Sequence, residues 1–244
     1  MITPKVSVII PVFNEEGNVT QLQTELEMAL EGISHELIFV DDGSQDRTLE
    51  QIKPGPGVRT IEFSRNTGQS AAMYAGLTAA NGEVLVLIDG DLQNDPNDIP
   101  RLLVEIDRGA DLVCGIRKNR RDNWFKRIQS LIANAVRSRF TKDGVHDTGC
   151  TLKAMRLDCR EALIPFHGMH RFIPALVKGH GYKITEIPVN HRPRQHGTSK
   201  YNFGNRALNA TIDMFGVRWL LSRQIKFEPK CQKQEQVANG ENVG

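Results

Sequence analysis

The sequence predicts an α/β protein organised around a mostly parallel sheet. Three observations lead there. Through the first 115 residues, short and nearly unbroken apolar runs recur, and stretches of helical character separate them. Runs of this kind suit strands covered on both faces, and strand–helix alternation implies parallel pairing through right-handed crossovers. Polar clusters follow the first, second and fourth runs directly, at the strand ends where open α/β sheets bind ligands.

Val6–Ile10 (VSVII) is the first strand, stopped by Pro11; Glu16–Glu31 reads as the helix after it. Glu36–Val40 (ELIFV) is the second strand, followed by a short helix over Arg47–Ile52. Val58–Phe63 and Val84–Ile88 (VLVLI) are the third and fourth strands, with a helix over Gln69–Ala80 between them. Asp95 caps the next helix, Pro96–Arg108, with the proline in its first turn, and Asp111–Gly115 is the fifth strand. A basic stretch follows, with Arg117, Lys118, Arg120, Arg121, Lys126, Arg127, Arg137 and Arg139, much of it on a helix starting near Asp122. Beyond it, Lys183–Ile187 and Val189–Arg192 read as strands and His170–Gly179 as a helix. A last helix, about Phe203 to Arg223, places Leu208, Ile212, Phe215 and Trp219 on one face.

Composition narrows the class. With 39% hydrophobic and 25% charged residues the chain is globular rather than disordered. Its four cysteines show no CxxC pairing or metal-ligand spacing, which favours a reduced, cytoplasmic setting. The opening apolar run is a strand, not a signal peptide, and no stretch has the roughly 18 apolar residues of a membrane-spanning helix. No G-x-G-x-x-G or Walker A sequence occurs; Gly55-Pro56-Gly57 lacks the third glycine. The formal net charge of +2 conceals a division: residues 1–100 hold 5 basic and 16 acidic side chains, residues 101–244 hold 26 and 13. The acidic first half, and the few aromatics within the Arg-rich stretch 117–127, argue for a phosphate site and against nucleic acid as a partner.

Chemistry concentrates in the polar clusters. Asp89-Gly90-Asp91 follows the fourth strand, with Gln93 two residues on. Carboxylates at i and i+2 leaving a strand point to one side, the glycine lets a ligand approach the backbone, and Gln93 extends the series. Such hard oxygen donors suit Mg²⁺ or Mn²⁺, which commonly complete their shell with substrate phosphates. A solvated, helix-capping turn is the plainer reading. Asp41-Asp42-Gly43-Ser44 follows the second strand; it has turn chemistry, but its adjacent like charges cost energy unless a donor group or metal uses them. Pro11 and Glu15 follow the first strand as a strand terminator and an acidic helix start. His167, His170, His191 and His196 lack the Cys or Glu spacing of a zinc site, and Cys150 has no evident base partner.

Taken in order, VSVIIPVFNEEGNV, IFVDDGSQDRT and SRNTGQSAAMYAGLTAANGEVLVLIDGDLQNDP resemble the inverting glycosyltransferase family 2. Asp147-Thr148-Gly149-Cys150 and the R-x-x-G-x-S-K segment from Arg194 to Lys200 are similar to the dolichol-phosphate mannosyltransferase branch and its bacterial polyprenyl-phosphate relatives. The resemblance covers roughly residues 5–227. It implies a GT-A fold: a Rossmann-like, mostly parallel sheet with a small C-terminal α+β extension and a terminal amphipathic helix. One domain would span 1–227, with a nucleotide-sugar half to 115, an acceptor half after it, and a disordered tail over 228–244.

The resemblance also assigns residues. Pro11, Asn14 and Glu15 would line the base and ribose, and Asp41 and Asp42 would face the nucleoside. Asp89, Asp91 and Gln93 match the metal and diphosphate motif, for Mg²⁺ or Mn²⁺. Arg117, Arg127 and Ser130 match the segment for the acceptor phosphate, with Lys126 an alternative to Arg127. Arg194, Ser199 and Lys200 match the element closing over the donor diphosphate; Asp89, Asp91 and Arg194 would carry catalysis. The implied reaction moves a hexosyl unit from a nucleotide-diphosphate sugar to a polyprenyl phosphate, with inversion, at the cytoplasmic face of the membrane. A phosphate monoester is already largely a dianion at neutral pH, so no dedicated general base is expected. A saccharide hydroxyl acceptor would need one, and Asp147 is its best candidate. A catalytically dead scaffold is disfavoured by the intact Asp89, Asp91 and Arg194. The last helix's stripe fits core packing or an interface; Arg206, Arg218, Arg223 and Lys226 around Phe215, Trp219, Leu220 and Leu221 suit peripheral membrane contact, alone or through a separate membrane-protein partner.

Overall fold

The computed structural model describes residues 4–117, 140–141, 143–193 and 203–225, of which 203–209 through the backbone alone. Its elements are β1 (Val6–Val12), α1 (Val19–Ala29), β2 (His35–Asp41), α2 (Thr48–Gln51), β3 (Val58–Glu62), α3 (Gln69–Ala79) and β4 (Val84–Leu87). There follow α4 (Ile99–Asp107), β5 (Leu112–Arg117), β6 (Lys153–Arg156), α5 (Ile173–Gly179), β7 (Ile184–Val189) and α6 (Phe203–Ser222). Among the described residues the strands form one sheet, in the order β3-β2-β1-β4-β6-β5-β7. Pairing is parallel for β1 with β2 and β4, β2 with β3, and β5 with β7; β6 runs antiparallel between β4 and β5.

The apolar runs are continuous because both faces are covered. Within β1, Val6, Val8, Ile10 and Val12 enter the core under α1 and α4, and Ile9 enters the opposite core under α3 and α5. Gly76 lets α3 lie close on that second face: a Cβ there would stand 2.4 Å from Cγ2 of Ile9.

Three differences from the sequence reading have physical causes. Strand β6 was not anticipated, since Lys153-Ala154-Met155-Arg156 is poor in β-branched residues and carries a lysine that the fold buries. The two strands expected at Lys183–Ile187 and Val189–Arg192 are one strand, β7, joined to the main sheet through β5. Pro96–Arg108 divides into a 3-10 turn over Pro96–Asp98 and helix α4. The basic helix near Asp122 lies outside the described residues.

Helix α6 buries Val217 and partly buries Met214, Leu220 and Leu221 against the core. Its other side leaves Ile212, Phe215 and Trp219 at 60%, 57% and 64% exposure, so this part of the expected apolar stripe faces outward rather than into the core. Phe140 meets Phe215 edge-on at 4.9 Å between ring centres. No helix among the described residues is long and apolar enough to cross a membrane.

Candidate active site

The carboxyl ends of β1, β2 and β4 form one rim, and the acidic clusters meet there. Strand β4 stops at Leu87, so Asp89, Gly90 and Asp91 lie on a turn rather than on an extended strand. The carboxylates converge because of that turn, not because of strand alternation. What approaches the backbone at Gly90 is β1: a Cβ would stand 2.8 Å from Cγ1 of Val12 and 3.2 Å from the Pro11 carbonyl oxygen. Leu92 then takes a left-handed conformation, φ 60°, with its side chain fully buried. That reversal brings the Gln93 amide back to donate to Oδ1 of Asp91 at 3.2 Å.

Asp89 accepts a hydrogen bond from the Gln69 side-chain amide, 2.7 Å, at the start of α3. Burial pushes its carboxyl up to about 6, and the charge of Asp91 beside it adds to the rise. The Thr151 hydroxyl, the Lys153 ammonium and the Gln69 amide pull the other way. Lys153 is itself buried, and its ammonium donates to the Cys150 carbonyl oxygen.

The residues expected to line the nucleoside also tie the rim together. Asn14 is left-handed, φ 53°; its amide donates to Oγ of Ser44 at 2.9 Å, and its Oδ1 accepts from the Gln45 amide at 2.7 Å. The Glu15 amide donates to Oγ1 of Thr48 at 2.7 Å. Asp41 is buried and accepts from the amide and hydroxyl of Ser44. Asp42, also buried, accepts from the amides of Thr67 (2.6 Å) and Gly68 (2.8 Å), fixing the entry to α3. Gly43 follows Asp42 directly at φ 73°, and a Cβ there would stand 2.6 Å from the Arg65 carbonyl carbon.

On the other flank, Arg117 at the end of β5 forms a two-point pair with Asp147, Nε to Oδ2 and Nη2 to Oδ1, both 2.8 Å. Asp147 therefore offers both oxygens to a guanidinium. Arg127, Ser130, Arg194, Ser199 and Lys200 lie outside the described residues.

Several groups near the rim were not singled out from sequence. Gln69 opens α3 in the Gly68-Gln69 step, and that helix-start position was the available signal. Ser70 Oγ lies 2.8 Å from Nδ1 of His170 and accepts the Gly168 amide at 3.0 Å, tying α3 to the turn before α5. Asp213 on α6 faces the same turn; burial raises its carboxyl, against the nearby charges of Arg171 and His167. No spacing in the sequence announces these long-range pairs.

The glycosyl transferase family 2 profile matches residues 7–163. The chain belongs to glycosyl transferase family 2. It is 40% identical over 228 residues to a dodecaprenyl-phosphate galacturonate synthase of Rhizobium johnstonii, covering 89% of this chain and 67% of that protein. It is 39% identical to an undecaprenyl-phosphate 4-deoxy-4-formamido-L-arabinose transferase of Edwardsiella ictaluri, covering 86% of this chain and 66% of that one. The chain thus spans about two thirds of these relatives' length. In fold it is similar to the glucosyl-3-phosphoglycerate synthase of Mycobacterium tuberculosis crystallised with Mn²⁺ and uridine-diphosphate-glucose, with TM-score 0.63, 18% identity, and coverage of 88% of this chain and 79% of that one. This family 2 chain accordingly has the GT-A-type mixed α/β sheet that its motifs implied.

The family implies a divalent cation, and the donors fit one. Asp89 and Asp91 are hard oxygen donors on one turn, and a cation held there would offset the burial and the like charge of Asp91 that together raise the Asp89 carboxyl. Among the described residues no group of three or more His, Cys, Asp and Glu side chains forms a complete metal cage. Two carboxylates with remaining positions left to substrate phosphate and water is the arrangement Mg²⁺-like ions favour.

Proposed function

We propose that this chain transfers a glycosyl unit from a nucleotide-diphosphate sugar to a polyprenyl phosphate, with inversion at the anomeric carbon. The observation that carries the reading is the Asp89–Asp91 turn at the carboxyl end of a central strand, in a chain whose relatives are named for polyprenyl-phosphate products. Those names include both a uronic acid and a modified arabinose, so the transferred unit is taken as a sugar rather than a hexose alone.

Asp89, Asp91 and Gln93 would hold Mg²⁺ or Mn²⁺. When bound, such an ion offsets the negative charge that develops on the departing diphosphate. The Gln69 amide and the Thr151 hydroxyl orient Asp89 for this role. Pro11, Asn14, Glu15, Asp41 and Asp42 form the nucleoside side of the rim, where their hydrogen bonds hold the loops in place. Arg194, Ser199 and Lys200 are assigned to the donor diphosphate, and Arg117, Arg127 and Ser130 to the acceptor phosphate. A phosphate dianion attacks the anomeric carbon from the face opposite the diphosphate and requires positioning rather than deprotonation. The engagement of both Asp147 oxygens by Arg117 supports this acceptor over a sugar hydroxyl, which would need a carboxylate base.

Helix α6 is assigned to the membrane surface. Ile212, Phe215 and Trp219 face outward, and the opposite face is packed. Such a helix lies in the headgroup region with its aromatics inserted. We assign this peripheral contact to the cytoplasmic face, made alone or beside a separate membrane protein.

The test is transfer from a panel of labelled nucleotide-diphosphate sugars to undecaprenyl phosphate in detergent with Mg²⁺ or Mn²⁺. Label entering the organic phase in a mild-acid-labile product is expected. Label appearing only on an added saccharide would sink the reading.

A further inference from the structure

Leu92 is the strained point of the acidic turn. A leucine in the left-handed region costs on the order of 1–2 kcal/mol, and its side chain has no polar group to compensate. Such a conformation persists only where its surroundings enforce it. On one side the enforcement is burial of the leucine side chain in the core. On the other side it comes from residues 190–192, a hundred positions away in sequence. The Arg192 amide donates to the Gln93 carbonyl oxygen at 2.8 Å. Asn94 and His191 form an isolated antiparallel bridge, and the Asn190 amide donates to Oδ2 of Asp98 at 2.6 Å.

The side chain of Arg192 fastens this small ribbon from outside. Its guanidinium spans two carboxylates: Nη1 to Glu25 of α1 at 2.6 Å, and Nη2 to Asp95 at 2.8 Å. All three side chains are largely shielded from solvent, at 27%, 22% and 15% exposure. Shielded pairs are screened less than surface ones, and a planar fork can bind two partners that a single ammonium cannot hold in the same directions. Asp95 also caps the turn after the motif through the Asn97 amide, 3.1 Å. Glu25, Arg192 and Asp95 thus join helix α1, the end of β7 and the acidic turn at one point.

We infer that Arg192 is a positioning residue for the diphosphate-binding turn: it holds the left-handed step at Leu92 that sets the directions of Asp91 and Gln93. The inference rests on the assignment of Asp89, Asp91 and Gln93 to the donor diphosphate and its cation. The link runs through backbone geometry. If the Gln93 carbonyl loses its anchor, Leu92 relaxes toward ordinary φ, the Gln93 amide leaves Oδ1 of Asp91, and both side chains turn away from the ligand.

The experiment measures Kd for UDP and GDP, with and without Mn²⁺, in wild type, R192Q, R192K, E25Q and D91A, together with circular dichroism and melting temperature. For the tighter-binding nucleotide, R192Q is expected to weaken the Mn²⁺-dependent part of binding roughly tenfold or more, as supporting residues around metal sites do. Metal-free nucleotide binding should remain within twofold, because the nucleoside side of the rim does not depend on Arg192. R192K and E25Q, each losing one arm of the fork, should fall between wild type and R192Q; they decide the matter if R192Q does not fold. Equal losses with and without Mn²⁺ would overturn the inference, since they indicate general destabilisation. So would wild-type Mn²⁺-dependent binding in R192Q, R192K and E25Q while D91A loses it. If D91A itself keeps that binding, the assignment of the turn fails first and the inference falls with it.

Discussion

Arg117 and Asp147 face each other through two parallel hydrogen bonds of 2.8 Å, both side chains about nine-tenths buried, across the gap between β5 and the approach to β6. Removing the charge of one partner in so shielded a pair costs about 1–3 kcal/mol. D147N is therefore expected to lower unfolding stability by that order in denaturant titration. Transfer to polyprenyl phosphate should survive within about tenfold, because general-base removal usually costs more. A thousandfold loss in a folded D147N protein would identify Asp147 as a base and favour a hydroxyl acceptor.

The raised carboxyl of Asp89 gives stability a pH signature. A carboxyl held near 6 in the folded state and near 3.8 when unfolded binds its proton more tightly in the folded chain. Its protonated form carries no penalty below about pH 4. The penalty grows as pH rises through the folded value and is complete above it. Metal-free wild type should thus lose melting temperature from pH 5 to pH 7.5 relative to D89N. Mn²⁺ should restore it at pH 7.5 in wild type and do nothing for D89N. Parallel wild-type and D89N curves, measured by differential scanning fluorimetry, would remove this account of the turn.

The two sides of α6 should respond oppositely to substitution. F215S/W219S replaces side chains that are more than half exposed, so the melting temperature should fall by only a few degrees, mostly through loss of the Phe140–Phe215 contact. Co-flotation with anionic liposomes should be lost. V217D, on the packed side, should lower the melting temperature sharply. Undiminished flotation of F215S/W219S would place membrane contact elsewhere.

Gly43 cannot accept a side chain without moving backbone. G43A meets both a positive φ of 73° and the Arg65 carbonyl carbon 2.6 Å from the new methyl. A destabilisation of about 1–3 kcal/mol is expected, with weaker nucleotide binding, because Asp41 and Asp42 would shift with the turn. Isothermal titration with UDP and GDP, at a temperature where the variant is folded, checks the second part.

The parallel half of the fold was legible because its strands are buried on both faces and read as unbroken apolar runs such as Val84–Leu87. The acidic clusters were legible because strand ends in such a sheet lead to one rim. Two details were hidden for the same reason: they depend on contacts far apart in sequence. Asp89 and Asp91 converge through a glycine turn pressed against β1 and a left-handed leucine, neither of which spacing reveals. Strand β6 carries a buried lysine whose ammonium finds a backbone carbonyl, and a charge in a short run ordinarily marks a loop. For α6, the apolar stripe was visible, but which side met the core depended on α5, where a Cβ on Gly179 would stand 2.4 Å from Cδ2 of Leu221.

The reversed direction of β6 has a further consequence. Strand β5 leaves the sheet at the rim, and because β6 runs antiparallel beside it, the chain re-enters at that same rim. Arg117 and Asp147, close to the two crossing points, act as a clasp. Whatever chain is spliced between them starts and finishes beside the acidic turn without displacing a strand. On the proposed assignment of acceptor-phosphate residues to the segment after Arg117, exchanging residues 118–139 between relatives of different product, with the core residue Val145 and the buried Asp143 kept, should carry the acceptor preference across while donor recognition stays with the recipient.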